Sequence, residues 1–115
     1  MRNWKTDKYL CDKFNEFNRK YFGNKLIGTV RVGWRKPFVE GHAGETIPVK
    51  DEYILLLINP KLRRVGAQNY ALSTLLHEMC HVKLWQQGKK VYTHGPLFQN
   101  EMKRLARIGA FNTIW

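Results

Sequence analysis

The chain has 115 residues, enough for one domain with a real apolar core and little room for a second, so residues 1–115 read as a single domain. Apolar residues make up 43% of it and aromatics 13%, a globular composition that excludes a disordered chain. Twenty Lys and Arg against nine Asp and Glu give a formal charge of +11, which attracts polyanions: nucleic acid first, then membrane surfaces and acidic proteins, with a merely well-solvated basic surface as the plain alternative.

The elements follow in chain order. Met1 to Lys8 lacks the apolar stretch of a signal peptide. From about Asp7 to Phe22 the sequence predicts an amphipathic helix, with Leu10, Phe14, Phe17 and Tyr21 at helical spacing and Lys13, Glu16 and Lys20 on another face. Gly23-Asn24 stops it, both residues tolerating left-handed backbone. Ile27 to Trp34 reads as a half-buried strand, with Val30, Val32 and Trp34 on one side and Arg31 on the other. Phe38 to Ile47 reads as irregular, because Gly41, His42 and Gly44 weaken any strand pattern. Tyr53 to Ile58 is a strand buried on both faces, ended by Asn59-Pro60, and too short to cross a bilayer.

The second long helix is predicted from about Ala67 to Gln87, packed through Leu72, Leu75, Leu76, Met79, Val82 and Trp85 and stopped by Gly88. Lys89 to Gly95 is a loop. The last helix opens at Pro96, where a missing N–H has no helical partner to lose, and Phe98, Met102, Leu105 and Ala106 form its apolar side. Trp34 and Trp85 read as core. Cys11 and Cys80 form no disulfide framework, and with no leader or spanning segment the expected location is a reducing cytoplasm or nucleus, with no membrane partner.

His77-Glu78-Met79-Cys80-His81 falls in the middle of the second long helix. Residues four apart on a helix lie one turn above each other, so His77 and His81 project to one side and can share a tetrahedral zinc, Zn2+. Glu78 sits beside the metal and can act as general base. A catalytic zinc needs a third protein ligand and one open position. The metzincin spacing would place glycine at position 84 and histidine at position 87; Leu84 and Gln87 stand there, which excludes that class. Two candidates remain. Glu101 lies about where thermolysin-like enzymes carry a carboxylate ligand on a following helix, and His94 lies in a loop just before a helix. If His94 binds, Glu101 is left as a solvated helix residue. Cys80 reads as a small buried hydrophobe, His42 as an exposed loop residue with no role, and Tyr92 as packing.

His77-Glu78-Met79-Cys80-His81 followed by His94-Gly95-Pro96-Leu97-Phe98 resembles the SprT-like domain of the Spartan metallopeptidases. That family carries its third zinc histidine in a His-Gly-x-x-Phe segment, so the resemblance implies His94 as the third ligand. Phe14-Asn15 and Tyr21-Phe22-Gly23-Asn24-Lys25-Leu26 are similar to the family too, and the likeness runs from about residue 8 to 107. It implies an α+β zincin-like domain, with a small sheet of about three strands packed on three helices. It further implies a zinc peptidase whose protein substrates are associated with or crosslinked to DNA. Two other readings stand beside it: a non-enzymatic basic nucleic-acid-binding module with a structural zinc, and a peptidase unrelated to DNA whose charge serves acidic protein substrates.

Overall fold

The computed structural model describes residues 6–26, 30–49, 53–88, 94–112 and 114. Helix α1 spans Lys8–Tyr21, with Asp7 as its N-cap: the Asp7 carboxylate accepts a 3.0 Å hydrogen bond from the Leu10 N–H, an otherwise unpartnered first-turn donor. The helix buries Leu10, Phe14 and Phe17, with Tyr21 half-buried beside them. Gly23 and Asn24, at φ of 60° and 58°, then turn the chain back. Asn18 is buried at that turn; its amide donates to the Leu26 carbonyl and accepts from the Leu26 N–H, both at 3.1 Å. Such two-way pairing is what makes a buried amide tolerable.

Three strands follow: β1, Val30–Trp34; β2, Gly44–Val49; and β3, Tyr53–Ile58. Their spatial order is β1-β3-β2. β1 runs parallel to β3, with Val32 opposite Leu56, and β2 runs antiparallel to it, with Thr46 also opposite Leu56. The central place of β3 explains its unbroken apolar run, since both of its faces are covered and Ile54 to Ile58 are all buried. The segment read as irregular contains β2 from Gly44 onward. Gly44 opens this strand because a Cβ there would meet Thr74 and Glu78, and Pro48, which has no N–H, is tolerated on an edge strand, one side of which has no ladder to donate into.

A 3-10 turn at Pro60–Arg63 leads to α2, Gln68–Gln86, and then α3, Pro96–Arg107. α1 packs on β1, while α2 packs on β2, β3, α1 and α3. α2 buries Ala71, Leu75, Leu76, Met79, Cys80, Val82 and Leu84, so it is sheltered over more of its circumference than one amphipathic stripe. Trp34 and Trp85 are half-buried at the margin of the core, not inside it, and Ala106 is exposed. The architecture is α+β, three helices with a three-stranded mixed sheet. Among the described residues no helix is long and apolar enough to cross a membrane. Residues 27–29 of the first predicted strand and 89–93 of the loop before α3, Tyr92 included, lie outside the described residues.

Candidate metal centre

α2 brings His77 and His81 to the same side, one turn apart, at the floor of a cleft of about 740 Å³. His94 arrives from the other wall. It stands just before Gly95, the N-cap of α3, and Gln99 Nε2 donates to its carbonyl at 3.2 Å. Pro96 in the first turn has a φ preset for the helix, which sets where the chain enters α3. The Nε2 atom of His94 lies 3.1 Å from Nε2 of His77 and 3.3 Å from Nε2 of His81. One atom from each of the three rings falls within 4.8 Å of the others. A single imidazole nitrogen carries at most one proton, so His94 Nε2 cannot donate good hydrogen bonds to both neighbours at once. Three nitrogens converging on one point suit a cation.

Phe98, on α3, is 2% exposed and holds this geometry from behind. Its ring centroid lies 4.7, 4.5 and 4.6 Å from those of His77, His81 and His94, with the His81 ring stacked on it at 24°. Burial, joined by the charge of the neighbouring histidines, pushes the His77 and His81 pKa values down to about 4. Both rings are therefore neutral at physiological pH, with a lone pair available for a metal. Glu78 points to the same place but is only 5% exposed. Its Oε2 lies 3.9 Å from His77 Nε2. Burial pushes its pKa up to about 7, against a lowering hydrogen bond from Thr46 and with a further rise from the Glu45 charge. A carboxyl poised there can take up and release a proton near neutrality.

The structure brings His77, His81 and His94 together and leaves Glu101 out of the cluster. Glu101 is not a solvated residue either: its side chain is 14% exposed and takes Lys83 at 2.6 Å and Arg104 at 3.1 Å. Arg104 in turn donates to the Tyr21 carbonyl at 2.7 Å, so this ion pair fastens α3 to α2 and to the end of α1. Cys80 is fully buried, its sulfur 3.8 Å from that of Met102, and burial pushes its thiol up to about 12, far from a thiolate ligand. His42 is exposed on the cleft wall, and Trp85 lines the cleft as well. Two contributions were not read from the sequence. Phe98 was legible as an apolar helix position and as the last residue of the His-Gly-x-x-Phe motif but not as the surface beneath three imidazoles, and Thr46, whose hydroxyl lies 2.7 Å from Glu78 Oε1, belongs to a strand obscured by Gly41, His42 and Gly44.

A model of the SprT-like family matches residues 10–113. The chain belongs to the SprT-like family. No curated protein matches it. The three helices and mixed sheet of this SprT-like chain are consistent with a zincin-like fold, and its two α2 histidines with His94 fit a zinc metallopeptidase motif. The donor set agrees: neutral imidazole nitrogens are ligands that zinc accepts readily, whereas calcium and magnesium call for oxygens.

Proposed function

We propose that this chain is a zinc-dependent endopeptidase, with His77, His81 and His94 as the metal ligands and Glu78 as the general base. The convergence of three imidazole nitrogens beside a buried carboxylate in an open cleft carries this reading. Zinc held there supplies Lewis acidity for amide hydrolysis. Glu78 takes a proton from the attacking water as its oxygen bonds to the scissile carbonyl carbon, then gives that proton to the leaving nitrogen as the C–N bond breaks. Phe98 keeps the imidazoles in register, and burial raises the proton affinity of Glu78, which favours its taking up the proton. Against a structural zinc in a non-enzymatic module, the described residues offer the cluster three ligands, whereas structural sites close four positions.

The proposed substrates are proteins associated with or crosslinked to DNA. The formal charge of +11 supports this, as do the many exposed basic side chains, Arg19, Lys20, Lys25, Lys61, Arg63, Arg64, Lys103 and Arg107 among them. A reducing compartment, cytoplasm or nucleus, suits the two free cysteines. The test is cleavage of a basic DNA-binding protein by the zinc-loaded chain, with and without single-stranded DNA, beside Glu78→Gln. Cleavage that needs Glu78 and rises with DNA is the expected result. Cleavage that needs Glu78 but ignores DNA removes the DNA role, and cleavage by Glu78→Gln at the parent rate overturns the mechanism.

A further inference from the structure

A general base works only if one of its oxygens is held toward the water it deprotonates, within hydrogen-bond reach. A glutamate has three side-chain torsions, and the last of these is broad and roughly two-fold, so burial by itself does not orient the carboxylate. In this chain the orientation comes from the edge strand. Gly44 and Thr46, two residues apart on β2, share one face of the sheet, and that face meets Glu78. At Gly44 there is no side chain, and a Cβ placed there would come within 3.2 Å of Glu78 Cγ. At Thr46 the hydroxyl lies 2.7 Å from Glu78 Oε1 and 3.2 Å from the Glu78 carbonyl oxygen. A hydroxyl has one proton to donate, and the shorter distance to the more basic oxygen gives it to the carboxylate.

The other carboxylate oxygen, Oε2, is the one that faces the imidazoles, 3.9 Å from His77 Nε2. The two oxygens are thus divided between the strand and the cluster. We propose that Thr46 is a positioning residue for the peptidase reaction, its hydroxyl anchoring Oε1 of Glu78 so that Oε2 is presented to the three-histidine cluster. Threonine suits this better than a longer polar residue, because a β-branched side chain in a strand has little χ1 freedom. Its backbone is fixed by the pairing of Thr46 with Leu56 on the buried central strand. The inference rests on the reading of Glu78 as general base.

The experiment compares Thr46→Val, which keeps the shape and loses the hydroxyl, with Thr46→Ser, which keeps the hydroxyl, both zinc-loaded. The expected result for Thr46→Val is a kcat lowered by about 10- to 100-fold with KM within about twofold, as for a misplaced catalytic group. Thr46→Ser should stay within about threefold of the parent in kcat, because the donor is retained. A second readout needs no turnover: at equal free zinc, Thr46→Val should raise the unfolding equilibrium constant about tenfold in the parent and no more than about twofold in a Glu78→Leu background. Parent-like kcat in Thr46→Val, in a chain whose cleavage needs Glu78, overturns the positioning role and leaves the peptidase standing. Equal kcat losses in the valine and serine variants, or a change confined to KM, overturn it as well. A parent chain that cleaves nothing removes the peptidase reading and this role together, and the unfolding cycle then identifies a contact of structural use only.

Discussion

Replacing Gly44 with alanine tests how closely β2 approaches α2. The added Cβ would lie 2.7 Å from Cγ2 of Thr74 and 3.0 Å from the carbonyl oxygen of Leu57, besides its contact with Glu78. Carbon atoms settle at about 3.5–4.0 Å, so the methyl group on Thr74 must yield by roughly 1 Å, and the Leu57 carbonyl can yield only if the central strand moves. Overpacking of this kind costs about 1–3 kcal/mol. The backbone of Gly44 is not left-handed, so alanine also restricts the unfolded chain and returns about 0.4–1 kcal/mol. With about 2 kcal/mol for the first and about 0.7 kcal/mol for the second, the net destabilisation is about 1.3 kcal/mol, which at about 4 °C per kcal/mol for a chain of this size lowers the melting temperature by roughly 5 °C. Thermal unfolding followed by circular dichroism measures it. Thr74→Ser in the same chain removes the nearest clashing carbon and should recover part of the loss, leaving the share due to the Leu57 carbonyl. A Gly44→Ala chain that melts at or above the parent refutes the close approach, and with it the account of how β2 meets Glu78.

Three further outcomes follow from the same geometry. His94→Ala should lower zinc affinity by at least about 100-fold, since two imidazoles hold the ion far less well than three, while Glu101→Ala should retain it; titration against a competing chelator decides, and the reverse ranking would make Glu101 the ligand. Glu78→Gln should keep its zinc and lose turnover by about 10²–10⁴-fold, the range for removal of a general base. The third concerns acid. Burial acts to raise the Glu101 pKa, but hydrogen bonds and charge from Lys83 and Arg104 outweigh it and hold the carboxyl below its ordinary value. The unfolded chain therefore binds this proton first: the stabilisation is fully present above about pH 4.5 and is lost as pH falls through the lower folded value. Melting temperatures measured across that window should fall less steeply in Glu101→Gln than in the parent, and identical slopes would mean that the Lys83–Glu101–Arg104 contact stabilises nothing.

The legible parts of the molecule are those governed by local rules. Helical spacing and stop signals placed both ends of α1 and α2 within a residue of those observed, and Pro96 marked the start of α3, since Asp7, Gly23-Asn24, Gly88 and Pro96 are residues with strong conformational preferences of their own. The unbroken apolar run from Tyr53 to Ile58 marked a strand covered on both faces, which is where β3 lies. β2 is obscured by Gly41, His42 and Gly44, because a strand that opens on glycine is intelligible only once the helix pressed against that glycine is known. Trp34 and Trp85 read as core from their place in the strand and helix patterns, yet a large side chain on an apolar face can still sit at a core margin or line a cleft, and sequence spacing does not distinguish these.

By itself the sequence determined that two histidines and a glutamate share one turn of one helix, because a four-residue separation has only one meaning on an α-helix. Apart from the pairing of His94 with the two helical histidines, which the family resemblance implied, the relations across elements were decided by the tertiary structure. It placed His94 Nε2 within 3.3 Å of both helical histidines, set Phe98 beneath all three rings, and drew Glu101 into an ion pair between helices. It also laid Thr46 against Glu78, 32 positions away in the chain. Such contacts depend on how helices and strands pack side by side, and periodicity within one element carries no information about which residue of another will face it.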